Sequence, residues 1–409
     1  MSRNSGSGSQ FVFTYAKTNC DPDPEFRPAV VCAGDAGINA LATVRSLGRR
    51  GVPVHVVALQ SGPQIASASR YCVSFTPARD LASLHEALRA LPQGALLYVD
   101  NDPMLKALAP HAGELAQRFA VVDSLAEASR LTDKTYQMRL AQKAGIAVPR
   151  SWLPQTWEEL AALETRKRLI AKPLSRRADF KVLVEADPRA LAAALRGRIA
   201  SPSDVVVQEF VEGDDAQIYV ALCYRARSRD QCYVLSARKL RQTAPGAGVM
   251  AVGHVVDAPQ VREMTRRLAR AAGARGAFCT EFKLDARDGK YYFIEWNPRP
   301  AYFQSIGWRA GFDLAWLAYC DHTDPVRLPP SESMSSSGHY WINLHADLLN
   351  LAKAPRRHAA AWLPYLRRKE WAVFACDDLA PWRKAMGQLA RWLFRRRAVG
   401  RVLRRLAVR

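Results

Sequence analysis

The chain has 409 residues, and 59 Lys and Arg against 38 Asp and Glu give it a formal charge of +21 and an isoelectric point near 10.0. Apolar residues at 49% and charged residues at 24% are ordinary globular usage, which excludes a wholly disordered, collagenous or coiled-coil chain. No run approaches the ~20 apolar residues that cross a bilayer, and the opening MSRNSGSGSQ lacks the apolar core of a secretory signal, so neither a membrane span nor export is expected. The length points to two or three domains. Eight cysteines without a CxxC pair or zinc-like spacing fit a reduced, cytoplasmic setting.

Residues 1–26, Ser/Gly-rich and punctuated by Asp21-Pro22-Asp23-Pro24, read as a flexible leader. Residues 27–130 alternate strand and helix. An apolar strand at 30–33 precedes a helix with Ile38, Leu41, Val44 and Leu47 on one side, and a second strand covers 54–59. A helix at 81–91, a strand at 95–99, a helix after Pro103 and a strand at 119–122 follow. This order predicts a parallel, doubly wound, Rossmann-like sheet. Its first turn, Gly34-Asp35-Ala36-Gly37, lacks the third glycine of GxGxxG, and Gln60 stands where a nicotinamide site carries an acid, so a simple tight turn is the better reading. Arg45, Arg70 and Asp100-Asn101-Asp102 are candidate substrate contacts, the last three because open α/β sheets bind ligands at the C-terminal ends of their strands. A helix start before Pro103 explains Asp102 equally well.

From residue 131 to 325 the pattern becomes α+β. Thr132-Asp133-Lys134 looks like a capped helix start, strands are expected at 169–173, 205–211 and 218–224, and a hairpin pairs 277–284 with 291–296 around Gly289. At the end of that hairpin, Glu295 and Asn297 share a strand face, and antiparallel pairing can bring Glu281 beside them. Two carboxylates and an amide oxygen are the hard donors Mg²⁺ prefers. Lys172 ends an apolar strand where a phosphate clamp is useful, and the following loop, 174–181, carries Arg176, Arg177 and Lys181. Gln208, Glu209, Phe210 and Val211 offer backbone edges, an amide and an aromatic ring suited to adenine, and Asp215 stands just past the turn. Eight dispersed histidines, without HExxH or GxSxG, give zinc and serine-hydrolase chemistry little support.

The order Asp133-Lys134, Ala171-Lys172-Pro173, Gln208-Glu209-Phe210-Val211-Glu212-Gly213, Glu281 and Glu295-Trp296-Asn297-Pro298-Arg299-Pro300 resembles the ATP-grasp superfamily, particularly its carboxylate–amine ligases, over about residues 28–325. The resemblance implies a pre-ATP-grasp domain at 27–130 and a two-lobed ATP-grasp domain at 131–325, with lobes at about 131–207 and 208–325. It also implies that Lys134 and Lys172 contact the phosphates and that Gln208 meets the adenine amino group. The Glu209–Val211 backbone would line the ring, Asp215 would bind ribose, and Glu281, Glu295 and Asn297 would hold Mg²⁺, or Mn²⁺ in its place. Lys172 and Arg299 take the catalytic positions, Arg299 steadying the transferred phosphoryl group. The implied reaction passes the γ-phosphoryl group to a carboxylate and then couples the acyl phosphate to an amine; relatives often form dimers. A phosphotransferase that stops at a phosphorylated product, or an adaptor with a degenerate ATP site, are the alternatives. Two features depart from the pattern: the loop 174–181 has no glycine, and Cys279 stands where some ligases carry an arginine, for which Lys239 or Arg241 could compensate. The segment 245–248 reads as a substrate loop or as a hairpin tip.

Residues 326–409 read as a Ser-rich linker, 331–337, and a basic helical region. From 381 to 409 there are ten Lys and Arg and no acid, interleaved with Trp392, Leu393, Phe394, Val399, Val402, Leu403 and Leu406. That pattern suits a helix on an anionic membrane surface at the inner face of the membrane; nucleic acid is the less favoured polyanion, and packing on the protein's own lobes is the plain alternative.

Overall fold

The computed structural model describes residues 25–35, 37–59, 64–122, 124–174, 180–243, 248–330, 338–353 and 363–392. Among these residues sixteen strands fall into three sheets. The front sheet comprises β1 (Ala29–Ala33), β2 (Val54–Leu59), β3 (Cys72–Ala78), β4 (Leu96–Val99) and β5 (Ala120–Val121), all parallel, in the order β3-β2-β1-β4-β5. β1 is buried at every residue, as the continuous apolar run of a strand covered on both faces demands. β3 is the strand of this sheet that sequence reading missed. Its weak alternation and Pro77 suit only an edge, where a missing N–H breaks no ladder.

A small antiparallel sheet orders β6 (Ser151–Trp152), β9 (Val205–Glu209), β7 (Leu169–Pro173) and β8 (Leu183–Glu185) as β6-β9-β7-β8. The strand expected over 205–211 ends at Glu209, and the Phe210 N–H still donates in register to the Arg168 carbonyl at 2.8 Å, just before β7. Leu160, Leu191, Leu195, Val205 and Val207 form this sheet's own core with the helices Trp157–Ala161 and Pro188–Leu195.

The largest sheet runs β14-β13-β10-β11-β12-β15-β16, with β10 (Ile218–Arg225), β11 (Cys232–Gln242), β12 (Met250–Val255), β13 (Gly276–Leu284), β14 (Tyr291–Asn297), β15 (Tyr340–Ile342) and β16 (Lys369–Trp371). β15 and β16 come from the stretch expected to be linker and helix. Trp341 and Ile342 bury apolar area against this sheet that a solvated linker would leave in water. One face of the sheet packs on the helices Lys134–Lys143 and Pro259–Ala272 through Leu140, Leu268, Phe278 and Trp296. The other face shares a core with the front sheet, in which Val31, Leu41 and Tyr98 belong to one cluster with Leu222, Tyr224, Ile306 and Phe312. That shared core fixes the ends of the parallel strands beside the hairpin β13–β14.

Among the described residues no helix is long and apolar enough to cross a membrane. Residues 380–392 are helical, and Lys384 donates to Ser67 Oγ at 2.9 Å, so this helix begins docked on the front of the molecule. Residues 1–24 and 393–409 lie outside the described residues, and with them most of the leader and most of the basic tail.

Candidate active site

Register places the carboxylates. Glu281 pairs directly with Glu295, and Cys279 with Asn297, across the antiparallel β13–β14 ladder. Residues 295 and 297 flank Trp296, whose ring is buried in the core on the opposite face, so alternation turns Glu295 and Asn297 toward the cleft. The ladder is bulged between Glu281 and Phe282. β14 is the edge of its sheet, and Gln137 completes it from the helix Lys134–Lys143: Trp296 N–H donates to Gln137 Oε1 at 3.0 Å, and Gln137 Nε2 donates to the Trp296 carbonyl at 2.7 Å.

These residues line one cavity of about 370 Å³ that also receives residues from the small sheet. Lys172 reaches it from β7, Gln208 and Glu209 from the end of β9, and Phe210 and Val211 from the following turn. Lys134 enters from the first turn of its helix, where Asp133 caps by accepting from Tyr136 N–H, and Lys134 Nζ donates to the Pro173 carbonyl at 2.7 Å. Gln208 Nε2 donates to Ser151 Oγ at 2.9 Å. The Glu209 side chain turns away, to Lys167 at 2.7 Å and Thr165 at 3.1 Å, so its backbone is what it offers the cavity. The Phe210 ring carries Lys283 at 4.3 Å and Arg168 at 4.7 Å from its centroid. Asp215 is not among the lining residues; its Oδ1 accepts from Gln242 Nε2 at 2.7 Å, and Gln242 is.

Arg299 lines the same cavity and joins it to the front sheet. Its Nε and Nη2 donate to the two Asp102 oxygens at 3.0 and 2.9 Å, and Nη2 also reaches Asn297 Oδ1 at 3.3 Å. Asn101, not Asp102, caps the helix Asp102–Leu108 by accepting from Met104 N–H, which leaves Asp102 for Arg299. The other front-sheet candidates serve structure. Asp100 accepts from Gly34 N–H at 3.1 Å, and a Cβ on Gly34 would stand 1.9 Å from Asn101 Nδ2, so the glycine answers a close approach of two turns. Arg45 and Arg70 face residues 377 and 378 and not the cavity.

Cations outnumber acids in the cleft, and several of them pair with or oppose the carboxylates. Lys239 Nζ lines the cavity 2.7 Å from Glu281, whereas Arg241 is buried in an ion pair with Asp347 at 2.6 Å. Burial pushes the Lys172 ammonium down to about 8; the Glu295 carboxylate opposes this and Lys134 adds to it. Burial raises the Glu295 carboxyl above its usual range, and Glu281 opposite raises it further. Two carboxylates facing each other in low dielectric are the arrangement a divalent cation relieves, and the Asn297 oxygen completes a hard donor set. Cys279 lines the same cavity, and burial pushes its thiol far up.

Sequence reading passed over Lys283, Gln242 and Gln137 as parts of this site, and it offered Asp102 as a substrate contact without its bridge to Arg299. Lys283 carried a signal, since it stands two residues past Glu281 on one strand. Gln137 carried none, because its role is set by a contact 159 residues away. Of the two loops singled out, residues 175–179 and 244–247 lie outside the described residues, while their flanks, Lys181 and Gly248, line the cavity.

A scan against protein-family models finds no match, and a search of curated protein sequences finds none. Solved structures do match. N5-carboxyaminoimidazole synthetase from Staphylococcus aureus in complex with ADP superposes with a TM-score of 0.62 at 15% identity, over 82% of this chain and 87% of that one. Biotin carboxylase from Campylobacter jejuni, in a β,γ-ATP complex, gives 0.59 at 14% identity over 76% and 74%. L-amino acid ligase from Bacillus licheniformis gives 0.54 at 15% identity over 73% and 74%. A parallel front sheet, a small antiparallel sheet and a large one, joined around a cleft and shared over three quarters of each chain, identify this protein as having the ATP-grasp fold.

Proposed function

We propose that the protein is an ATP-dependent ligase that joins a carboxylate to an amine, with an amino acid or a small amino-acid-containing metabolite as substrate. The observation that carries this reading is the convergence of Lys134, Lys172, Glu281, Glu295, Asn297 and Arg299 on one cavity from two sheets, a helix start and the turn after β14. Likeness to an ADP-bound synthetase and to an L-amino acid ligase supports it.

In this reading Gln208, Phe210, Val211 and the Glu209 backbone receive the adenine, and Lys134 and Lys172 the phosphates. Glu281, Glu295 and Asn297 would hold Mg²⁺, or Mn²⁺, which supplies neutralisation of phosphate charge. A substrate carboxylate oxygen attacks the γ-phosphorus, the bond to ADP breaks, and an acyl phosphate forms. The amine then attacks the acyl carbon, the C–N bond forms, phosphate leaves and the amine gives up a proton. No protein nucleophile is required; the rate comes from positioning and from cations such as Arg299 aimed at the transferred group. Contact of residues 381–409 with an anionic membrane surface is part of the proposal and rests on the charge and spacing of that segment.

The test is calorimetric titration of the protein with ATP, with and without Mg²⁺, followed by a screen of carboxylate and amine pairs for ADP and phosphate release. Saturable Mg²⁺-dependent binding is expected, and the double variant Glu295→Ala, Asn297→Ala should lose Mg²⁺-dependent turnover while keeping the native circular dichroism spectrum. Unchanged turnover in that variant refutes the metal assignment, and a folded protein that binds no ATP refutes the ligase.

A further inference from the structure

A second group of potential ligands stands apart from the cleft, on the front sheet. The helix Leu81–Arg89 and the stretch 109–118 bury Leu84, Leu88 and Leu115 in one core cluster, which holds the two backbones side by side. Above that core His85 and His111 meet with ring centroids 4.0 Å apart at 76°. His111 closes a 3₁₀ turn, Ala109–His111, and Glu114 follows in the first turn of the helix Ala112–Arg118. One ring nitrogen from each histidine and one Glu114 carboxylate oxygen all lie within 4.8 Å of one another. None of the three lines the cavity described above.

Two imidazole nitrogens and one carboxylate oxygen are a donor set for borderline divalent ions, as in three-ligand zinc sites, and a poor one for Mg²⁺. With metal–ligand bonds of about 2.0–2.1 Å, tetrahedral donors sit roughly 3.4 Å apart. The present spacing therefore closes by rotation of side chains at the surface, without movement of the helices. Arg89, one turn after His85, donates Nε and Nη2 to Glu114 Oε1 at 3.1 and 2.8 Å. It fixes the carboxylate while engaging one of its two oxygens, as outer partners of metal ligands do.

We propose that His85, His111 and Glu114 form a surface site for a divalent transition-metal ion, Zn²⁺, Ni²⁺ or Cu²⁺, that cross-links the helix Leu81–Arg89 to the segment 109–118. Water completes the coordination. The donor chemistry separates this site from the all-oxygen set of the cleft.

The untagged full-length protein is titrated with Zn²⁺ or Ni²⁺ in a large excess of Mg²⁺, which keeps the oxygen donors of the cleft occupied. One saturable equivalent is expected, and His85→Ala and His111→Ala should each weaken it by at least about tenfold, the lower end of what loss of a supporting partner costs metal sites. All three side chains reach the surface, so both variants should keep the native fold, checked by circular dichroism. With one equivalent of Cu²⁺, paramagnetic resonance should show coupling to two imidazole nitrogens, and to one in either variant. Absence of saturable binding in excess Mg²⁺, equal affinity in the histidine variants, or a copper spectrum without nitrogen coupling would each overturn the site.

Discussion

Lys172 sits where β7 delivers a cation into a cleft that already holds Lys134, Lys239 and Lys283, and with its charge held down to about 8 it is half neutral near that pH. A bound polyphosphate favours the charged form, so ATP binding must draw a proton onto this amine from solution. The sign follows from the cation: below the shifted value Lys172 is already charged and takes up nothing, whereas at pH 8 about half a proton per ATP is expected. Calorimetry in buffers of different ionisation enthalpy measures that uptake. Lys172→Arg keeps its charge throughout this range and should abolish it. Equal uptake in the wild type and the arginine variant would assign the proton elsewhere.

At the scale of elements, the strand that carries Glu295 and Asn297 depends on a side chain from another element. β14 is an edge strand, and its Trp296 amide and carbonyl are satisfied by Gln137, in addition to a bond from Phe293 N–H to the Ala147 carbonyl at 2.8 Å. Gln137→Leu fills similar volume but strands a buried donor and acceptor, each costing about 1–3 kcal/mol. The expected outcome is a lower denaturation midpoint together with weakened Mg²⁺-dependent ATP binding, because Glu295 and Asn297 flank the released peptide. A variant as stable as the wild type would show that the edge is held by its ladder alone. This case also marks how far the sequence could be read. Glu281, Glu295, Asn297 and Lys172 were legible because strand alternation and hairpin pairing are local rules with fixed periods. The front sheet was legible for the same reason, apart from β3, whose pattern is diluted by its edge position. Gln137 and the Asp102–Arg299 bridge were not, since side chains 159 and 197 residues apart meet only through the packing of separate sheets. Asp215 shows the reverse case: a residue placed by motif order whose carboxylate is held back from the cavity wall by Gln242.

At the scale of the whole molecule, the segment after β16 is clamped to the front sheet by a buried ion pair. Arg45 and Asp378 are 2% and 1% exposed, 3.0 Å apart, and Asp378 also accepts from Ser69 Oγ at 2.7 Å and from Arg70 N–H at 3.0 Å. Beside it Arg49 binds Asp377 at 2.8 Å, and Tyr71 donates to the same carboxylate at 2.8 Å. Arg45 and Arg70, expected to face a substrate, are thus committed to holding the C-terminal segment on the domain that precedes the cleft. Breaking one side of such a pair leaves a desolvated charge, which costs about 3–5 kcal/mol, while replacing both sides with apolar groups of similar volume costs far less. Asp378→Ala should therefore lower the unfolding temperature more than the double variant Arg45→Met, Asp378→Leu does. In the double variant the Ser69 hydroxyl and the Arg70 amide still lose their acceptor, so recovery should be partial. Thermal unfolding of the three proteins decides the matter: a single variant that melts with the wild type would mean that the clamp carries no net stability, and that the β15–β16 pairing and the Lys384 contact hold the segment without it.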